Sequence, residues 1–163
     1  MWDGICRNRD SEASFSNDTP VNTVKVMSAN ILIVEDEMLV AFETEAVLSD
    51  LGHRVVGIAP DLDTALALAD RPLDLALVDL NLRDGLTGPE IGRRLCALGT
   101  RAVLFLTANP RILGDGIAGA IGVLTKPTDA AAVEQAVDYA LRVSRGDVAA
   151  TPPPALQVFA RAA

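Results

Sequence analysis

Five short apolar runs, separated by segments of helical periodicity, constrain this chain more than any other feature. Runs near 30–35, 54–59, 73–79, 102–107 and 122–125 have the length and composition of buried strands. The spacing between them predicts helices near 37–51, 62–70, 88–98 and 128–143. Strict strand–helix alternation implies a doubly wound α/β fold, a parallel sheet of five strands with right-handed crossovers and helices on both faces.

Four of the runs end in polar groups. Ile31-Leu32-Ile33-Val34 leads into Glu35-Asp36-Glu37, Leu75-Ala76-Leu77-Val78 into Asp79, Val103-Leu104-Phe105-Leu106 into Thr107, and Val123-Leu124-Thr125 into Lys126-Pro127. In an open parallel sheet the carboxyl ends of the strands share one edge, where ligands bind. Groups spread over some ninety residues of sequence are therefore expected to meet at one point.

The 163 residues, half of them hydrophobic, suffice for one core. The reading divides the chain into a polar, disordered arm at 1–28, a folded domain at 29–145 and a Pro-rich tail at 146–163. In that tail Thr151-Pro152-Pro153-Pro154 acts as a stiff spacer. Met27 is a candidate for the true start. The arm carries no apolar signal-peptide core and no run approaches a membrane span. A net charge of −8, no basic block and few aromatics exclude a nucleic-acid footprint. Cys6 and Cys96 have neither metal spacing nor a disulfide framework, which fits a reducing, cytoplasmic compartment.

Within the first helix Val40, Thr44, Val47, Leu48 and Leu51 form one stripe, with Gly52 as the stop. Thr87-Gly88-Pro89-Glu90 has capping-box spacing ahead of a helix expected to bury Ile91, Leu95 and Leu98. Thr128 is the expected cap of the last helix, whose buried side is read as Ala130, Val133, Ala136, Val137, Ala140 and Leu141.

Glu35, Asp36 and Asp79 brought close together would repel, by roughly 1 kcal/mol per pair in water at ~4 Å. A hard divalent cation removes that repulsion, and Mg2+ prefers one or two carboxylates with waters and phosphate oxygens. The expected ligands are Asp36 and Asp79 directly, Glu35 through water, and a backbone carbonyl at Asn81. With Thr107 and Lys126 they can bind three oxygens of a phosphoryl group carried by Asp79, since a carboxylate attacks phosphorus when charge and position are managed. Each residue also has an ordinary role: an acidic first turn, a turn residue, an N-cap, a solvated lysine. Only their joint placement at four strand ends favours the pocket.

The set resembles the receiver domain of bacterial two-component response regulators. Val34-Glu35-Asp36-Glu37 is similar to that family's acidic pair, Val78-Asp79-Leu80 to its phosphoacceptor strand, Thr107-Ala108 to its switch hydroxyl, and Thr125-Lys126-Pro127 to its lysine–proline motif. The resemblance implies a flavodoxin-like sheet of order 2-1-3-4-5 and phosphorylation of Asp79 from a histidine kinase or phosphotransfer protein, with Mg2+ required. It also implies a Thr107 that turns toward the phosphoryl group and a Lys126 that pairs with it. Three departures stand out. Val123 occupies a position where the family usually has Tyr or Phe, and Arg83 one where many members have proline. The glycine-rich stretch from Thr107 to Lys126 is short, so the fourth helix is expected to be short, mobile or absent, and its loop to order on phosphorylation.

Met38, Leu39 and Phe42 lie off the centre of the first helix's stripe and flank the acidic mouth. They form a candidate docking face for the kinase or phosphotransfer partner, unless a neighbouring loop covers them. The function that follows is a single-receiver switch, not an enzyme, that signals to a downstream protein without nucleic acid or membrane. The alternatives are a binding module that never titrates Asp79, and a metal-dependent phosphohydrolase. Asn81 stands where the latter commonly needs a second acid or base.

Overall fold

The computed structural model describes residues 27–160. The expected disordered arm lies outside them except for Met27 and Ser28. Five parallel strands alternate with helices: β1 (Asn30–Val34), α1 (Met38–Asp50), β2 (Arg54–Ala59), α2 (Leu62–Leu68), β3 (Leu75–Val78), α3 (Gly88–Ala97), β4 (Val103–Thr107), β5 (Gly122–Thr125) and α4 (Ala130–Ser144). Between β4 and β5 the only helical turn is 3₁₀, at Pro110–Leu113. The expected shortening of the fourth helix is thus realised, because Pro110 and the glycines that follow leave no run for an α-helix.

The sheet order is β2-β1-β3-β4-β5-β6. Its first five members follow the expected 2-1-3-4-5. The sixth, β6 (Leu156–Val158), corrects the five-stranded, all-parallel expectation: it pairs antiparallel with β5, joining Leu124 to Leu156 and Gly122 to Val158. The end of the Pro-rich tail is therefore part of the domain's sheet, not only a spacer.

Alternation along each strand builds two cores. Ile31, Ile33, Leu75, Leu77, Leu104, Leu106 and Leu124 face α1 and α4, where they meet Ala41, Leu48, Val133, Val137 and Leu141. Leu32, Val34, Ala76, Val78, Val103, Phe105 and Val123 share the opposite cluster with Ala65, Ile91 and Leu95. Side chains of successive strand residues point to opposite faces, so a continuous apolar run is what a sheet covered on both sides requires.

Helix ends set the directions in which the loops leave. After α1, Gly52 adopts φ +81°. The His53 amide then donates to the Leu48 carbonyl at 3.0 Å and the Gly52 amide to Ser49 at 2.9 Å, a Schellman motif that turns the chain into β2. Three details correct the sequence reading. The cap of α4 is Asp129, whose carboxylate accepts the Ala132 amide at 2.7 Å, instead of Thr128. No capping box forms at α3, because the Thr87 hydroxyl donates to Asp84 and the Glu90 carboxylate pairs with Arg93 and Arg94. Leu98 and Ala130 are exposed, since each stands at a helix end beyond the covered face.

Candidate phosphoacceptor site

Backbone pairing delivers the polar residues to one edge. Val34 is opposite Val78, and Thr107 is opposite Thr125. Past those positions the Asp79 amide donates to Val34 at 2.9 Å and the Lys126 amide to Thr107 at 2.8 Å, so the ladder continues through the first residues beyond the strands. The Lys126–Pro127 peptide is cis.

Three of the expected side chains meet directly. Lys126 Nζ donates to Glu35 Oε2 at 2.6 Å and to Asp79 Oδ2 at 2.8 Å, contacts that span 91 and 47 residues of sequence. The remaining oxygens are held by the backbone: Glu35 Oε1 accepts the Glu37 amide at 3.1 Å, and Asp79 Oδ1 accepts the Leu80 amide at 2.6 Å. Both carboxylates are thus fixed in orientation. Thr107 is fully buried, and its Oγ1 accepts the Asn109 amide at 3.1 Å.

Burial raises the Glu35 carboxyl above its ordinary value, against the opposing pull of Lys126. Burial also works against the Lys126 charge, but hydrogen bonds and attraction from Asp79 and Glu35 outweigh it and hold the ammonium above its usual range. The cluster is therefore a charge-assisted triad in which one cation serves two acids.

Asp36 and Asn81 make no hydrogen bond to these three side chains. Both are exposed, on the loops after β1 and β3. Among the described residues no group of three or more His, Cys, Asp or Glu side chains is arranged to hold a metal ion. Of the three expected acids, Glu35 and Asp79 are bridged by Lys126, and Asp36 is exposed on the loop after β1. That donor set still suits Mg2+, which takes one or two carboxylates, carbonyls and waters and needs no all-protein cage.

The loop after Asp79 is braced in a way the sequence reading missed. Leu82 and Gly85 exchange backbone hydrogen bonds, Asp84 accepts the Leu62 amide at 3.0 Å, and Arg83 pairs with Asp61. Asp61 also caps α2 by accepting the Thr64 amide at 2.8 Å. Hydrogen bonds from Thr64, then Arg83, hold its carboxyl below the ordinary range. The spacing Asp61–Thr64 was the available signal for the cap; nothing local marked the bridge to Arg83. At the far end of this loop Gly88 packs so closely that a β-carbon there would overlap the Asp79 carbonyl oxygen.

A groove of about 700 Å3 opens beside Lys126, between α1 and α4, lined by Val40, Val47, Leu106, Pro127 and Val133 among others. Met38, Leu39 and Phe42 are exposed on α1, and no loop among the described residues covers the candidate docking face.

Residues 31–138 match the family model described as "Response regulator receiver domain". The chain belongs to that family. It is 35% identical over 119 residues to the phyllosphere-induced regulator PhyR of Methylorubrum extorquens, covering 71% of this chain and 44% of that protein. The crystal structure of the response regulator PhyR from Brucella abortus superimposes with a TM-score of 0.66 at 32% identity, over 73% of this chain and 50% of the other. A CheY-like receiver from Methanospirillum hungatei shares the fold, with a TM-score of 0.65 at 23% identity, over 73% of this chain and 98% of that one. The chain spans about half the length of the curated relatives it matches. Receiver domains generally act as signalling modules, not enzymes. They typically bind Mg2+ at the site of phosphorylation and interact with kinases or phosphotransfer partners. No helix of the described residues is long and apolar enough to cross a membrane.

Proposed function

We propose that this receiver is a cytoplasmic switch that accepts a phosphoryl group on Asp79 from a histidine kinase or a histidine phosphotransfer protein and passes the signal to a protein target. The observation that carries the reading is the double contact of Lys126 with Glu35 and Asp79 at the strand ends. It leaves Asp79 oriented, partly open to solvent and next to a cation that offsets incoming phosphate charge.

In the transfer, an Asp79 carboxylate oxygen forms a bond to phosphorus as the donor's nitrogen–phosphorus bond breaks, and the freed histidine leaves with the donor. Lys126 balances the negative charge gained at Asp79. The Thr107 hydroxyl gives up the Asn109 amide and donates to a phosphoryl oxygen. Glu35, Asp36, Asp79 and the Asn81 carbonyl are the oxygen donors available to Mg2+ at this edge, which when bound neutralises phosphoryl charge. The chain's own chemistry is confined to this acceptance and its hydrolytic reversal. Met38, Leu39 and Phe42 form the face that meets the phosphoryl donor.

A binding module that never uses Asp79 is disfavoured, because nothing in such a role calls for the Lys126 bridge. The test is incubation with Mg2+ and a small donor such as acetyl phosphate. Wild type gains a phosphoryl group and Asp79→Asn does not; equal labelling of both would overturn the assignment.

A further inference from the structure

The crossover from Thr107 to Gly122 is held by the buried Leu113 and by the Ile121 amide, which donates to the Val103 carbonyl at 2.8 Å, and two further fastenings link it to the switch hydroxyl and to the tail. Near its start the Asn109 amide is held by the Thr107 hydroxyl at 3.1 Å. Near its end it is held by the tail: the Phe159 amide donates to the Ile121 carbonyl at 3.0 Å, and β6 pairs along β5 from Gly122 to Leu124. The Phe159 side chain is buried against Phe105, ring centroids 6.3 Å apart, and against Gly116, where a β-carbon would collide with the ring. Gly122 is equally close to the tail, and its missing side chain leaves room for the Gln157 carbonyl.

Phe105 and Thr107 are two residues apart on β4, so their side chains leave the same face of the sheet. Phe159 therefore bears on the strand that carries the switch hydroxyl and on the loop that this hydroxyl anchors. Val123, opposite Phe105 on β5, shares the same core cluster, to which the tail adds the ring of Phe159. The strap is slight. It offers three strand residues, with Leu156 and Phe159 as its only buried side chains, after a proline run that is mostly exposed. Short antiparallel edge pairing of this kind sits at the low-stability end of a domain.

We infer that Leu156–Phe159 is a releasable strap that holds the Thr107–Gly122 crossover in its resting arrangement, with Phe159 as the positioning residue. The inference rests on phosphoryl acceptance at Asp79. When Thr107 turns to the phosphoryl group it lets go of Asn109, and the near end of the crossover loses its tie to the hydroxyl while the far end stays held by the tail at Phe159 and by the Ile121 amide on Val103. Motion at either fastening strains the other through the same short loop. Coupling of this kind is reciprocal: phosphorylation loosens the strap, and loosening the strap favours phosphorylation. Release also bares the edge of β5, a row of unpaired backbone groups able to receive another strand.

The experiment uses the full chain in three forms: wild type, Phe159→Ala and Phe159→Leu. Amide exchange at Phe159 is followed with and without Mg2+ and beryllofluoride, and the extent of phosphorylation by acetyl phosphate is measured in parallel. Beryllofluoride is expected to speed exchange of the Phe159 amide in wild type by at least about fivefold, while Val78 and Leu104 stay protected. Phe159→Ala is expected to raise the phosphorylated fraction, and Phe159→Leu, which refills part of the slot, to restore most of the wild-type value. A merely structural role would lower phosphorylation with stability and show no response to beryllofluoride. An unchanged Phe159 amide in a wild type that does take up phosphate overturns the strap alone. A wild type that takes up none overturns the phosphoacceptor reading, and the strap with it.

Discussion

Lys126 Nζ lies 2.8 Å from Asp79 Oδ2, and the same ammonium reaches Glu35 at 2.6 Å, so one cation stands between two acids drawn from different strands. The side chain of Lys126 is 20% exposed, Asp79 13% and Glu35 7%. Attraction is therefore only partly screened, and leaving either acid unpaired is costly. The same arrangement suits Asp79 to the proposed phosphoryl acceptance: its charge is balanced by a side chain that can stay in place as phosphate charge arrives.

Replacing Lys126 with Ala should make stability depend on pH in a new way. Burial already raises the Glu35 carboxyl, and Lys126 is the main influence pulling it back. Without Lys126 the Glu35 pKa rises further, so the folded variant favours the protonated acid. A raised folded pKa adds stability that is complete below the unfolded value of about 4.3 and is lost as pH climbs through the folded value. The variant should lose about 1–3 kcal/mol at pH 7 and recover part of it on acidification toward pH 5, where wild type gains less. Denaturant midpoints across that range measure the difference.

Met38→Ser with Phe42→Ser should separate two routes to the same aspartate. Both side chains are about half exposed and neither belongs to either core cluster. Stability should change by less than about 0.5 kcal/mol per site. Transfer from a phosphorylated partner should fall by roughly tenfold, as expected for losing interface anchors. Phosphorylation by acetyl phosphate should be unaffected. Equal loss by both routes would show that these residues support the pocket and not the encounter.

Gly88→Ala should damage the acceptor strand through contact alone. The added methyl collides with the Asp79 carbonyl and the Leu80 backbone, neither of which can swing aside as a side chain would. Overpacking of this kind costs about 1–3 kcal/mol. Because the displaced atoms belong to Asp79 and its neighbour, the phosphorylation rate should fall along with the melting temperature.

Asp129→Ala should cost about 1 kcal/mol, the usual loss when an N-cap acceptor goes. Thr128→Ala should cost little, since Asp129 holds the Ala132 amide. Thermal unfolding of the two variants distinguishes them.

The parallel framework was legible because its signals are local. An apolar run such as Leu75–Val78, covered on both faces, can be little else but a buried strand, and the polar residue that ends each run marks the sheet edge. The meeting of Glu35, Asp79 and Lys126 followed from topology. The exposure of Asp36 and Asn81 on their loops did not, because loop conformation is not encoded in spacing. Asp129 displaced Thr128 as cap because both residues are good caps and only the first turn's backbone chooses between them. β6 was invisible for a related reason: three residues after a proline run carry no periodicity, and Leu156 and Phe159 acquire meaning only beside Gly122 and Gly116. The bridge from Arg83 to Asp61 joins two loops whose approach depends on how α2 and α3 pack together.

The central claim is that Asp79 is the residue that carries phosphate. Its most direct test is to phosphorylate the protein with acetyl phosphate in Mg2+, trap the acyl phosphate by borohydride reduction and map the altered residue by mass spectrometry. The account predicts a single modified position, Asp79, and loss of the signal when Mg2+ is chelated. Modification at Glu35 or Asp36 instead, or none at all in a folded protein, would contradict it.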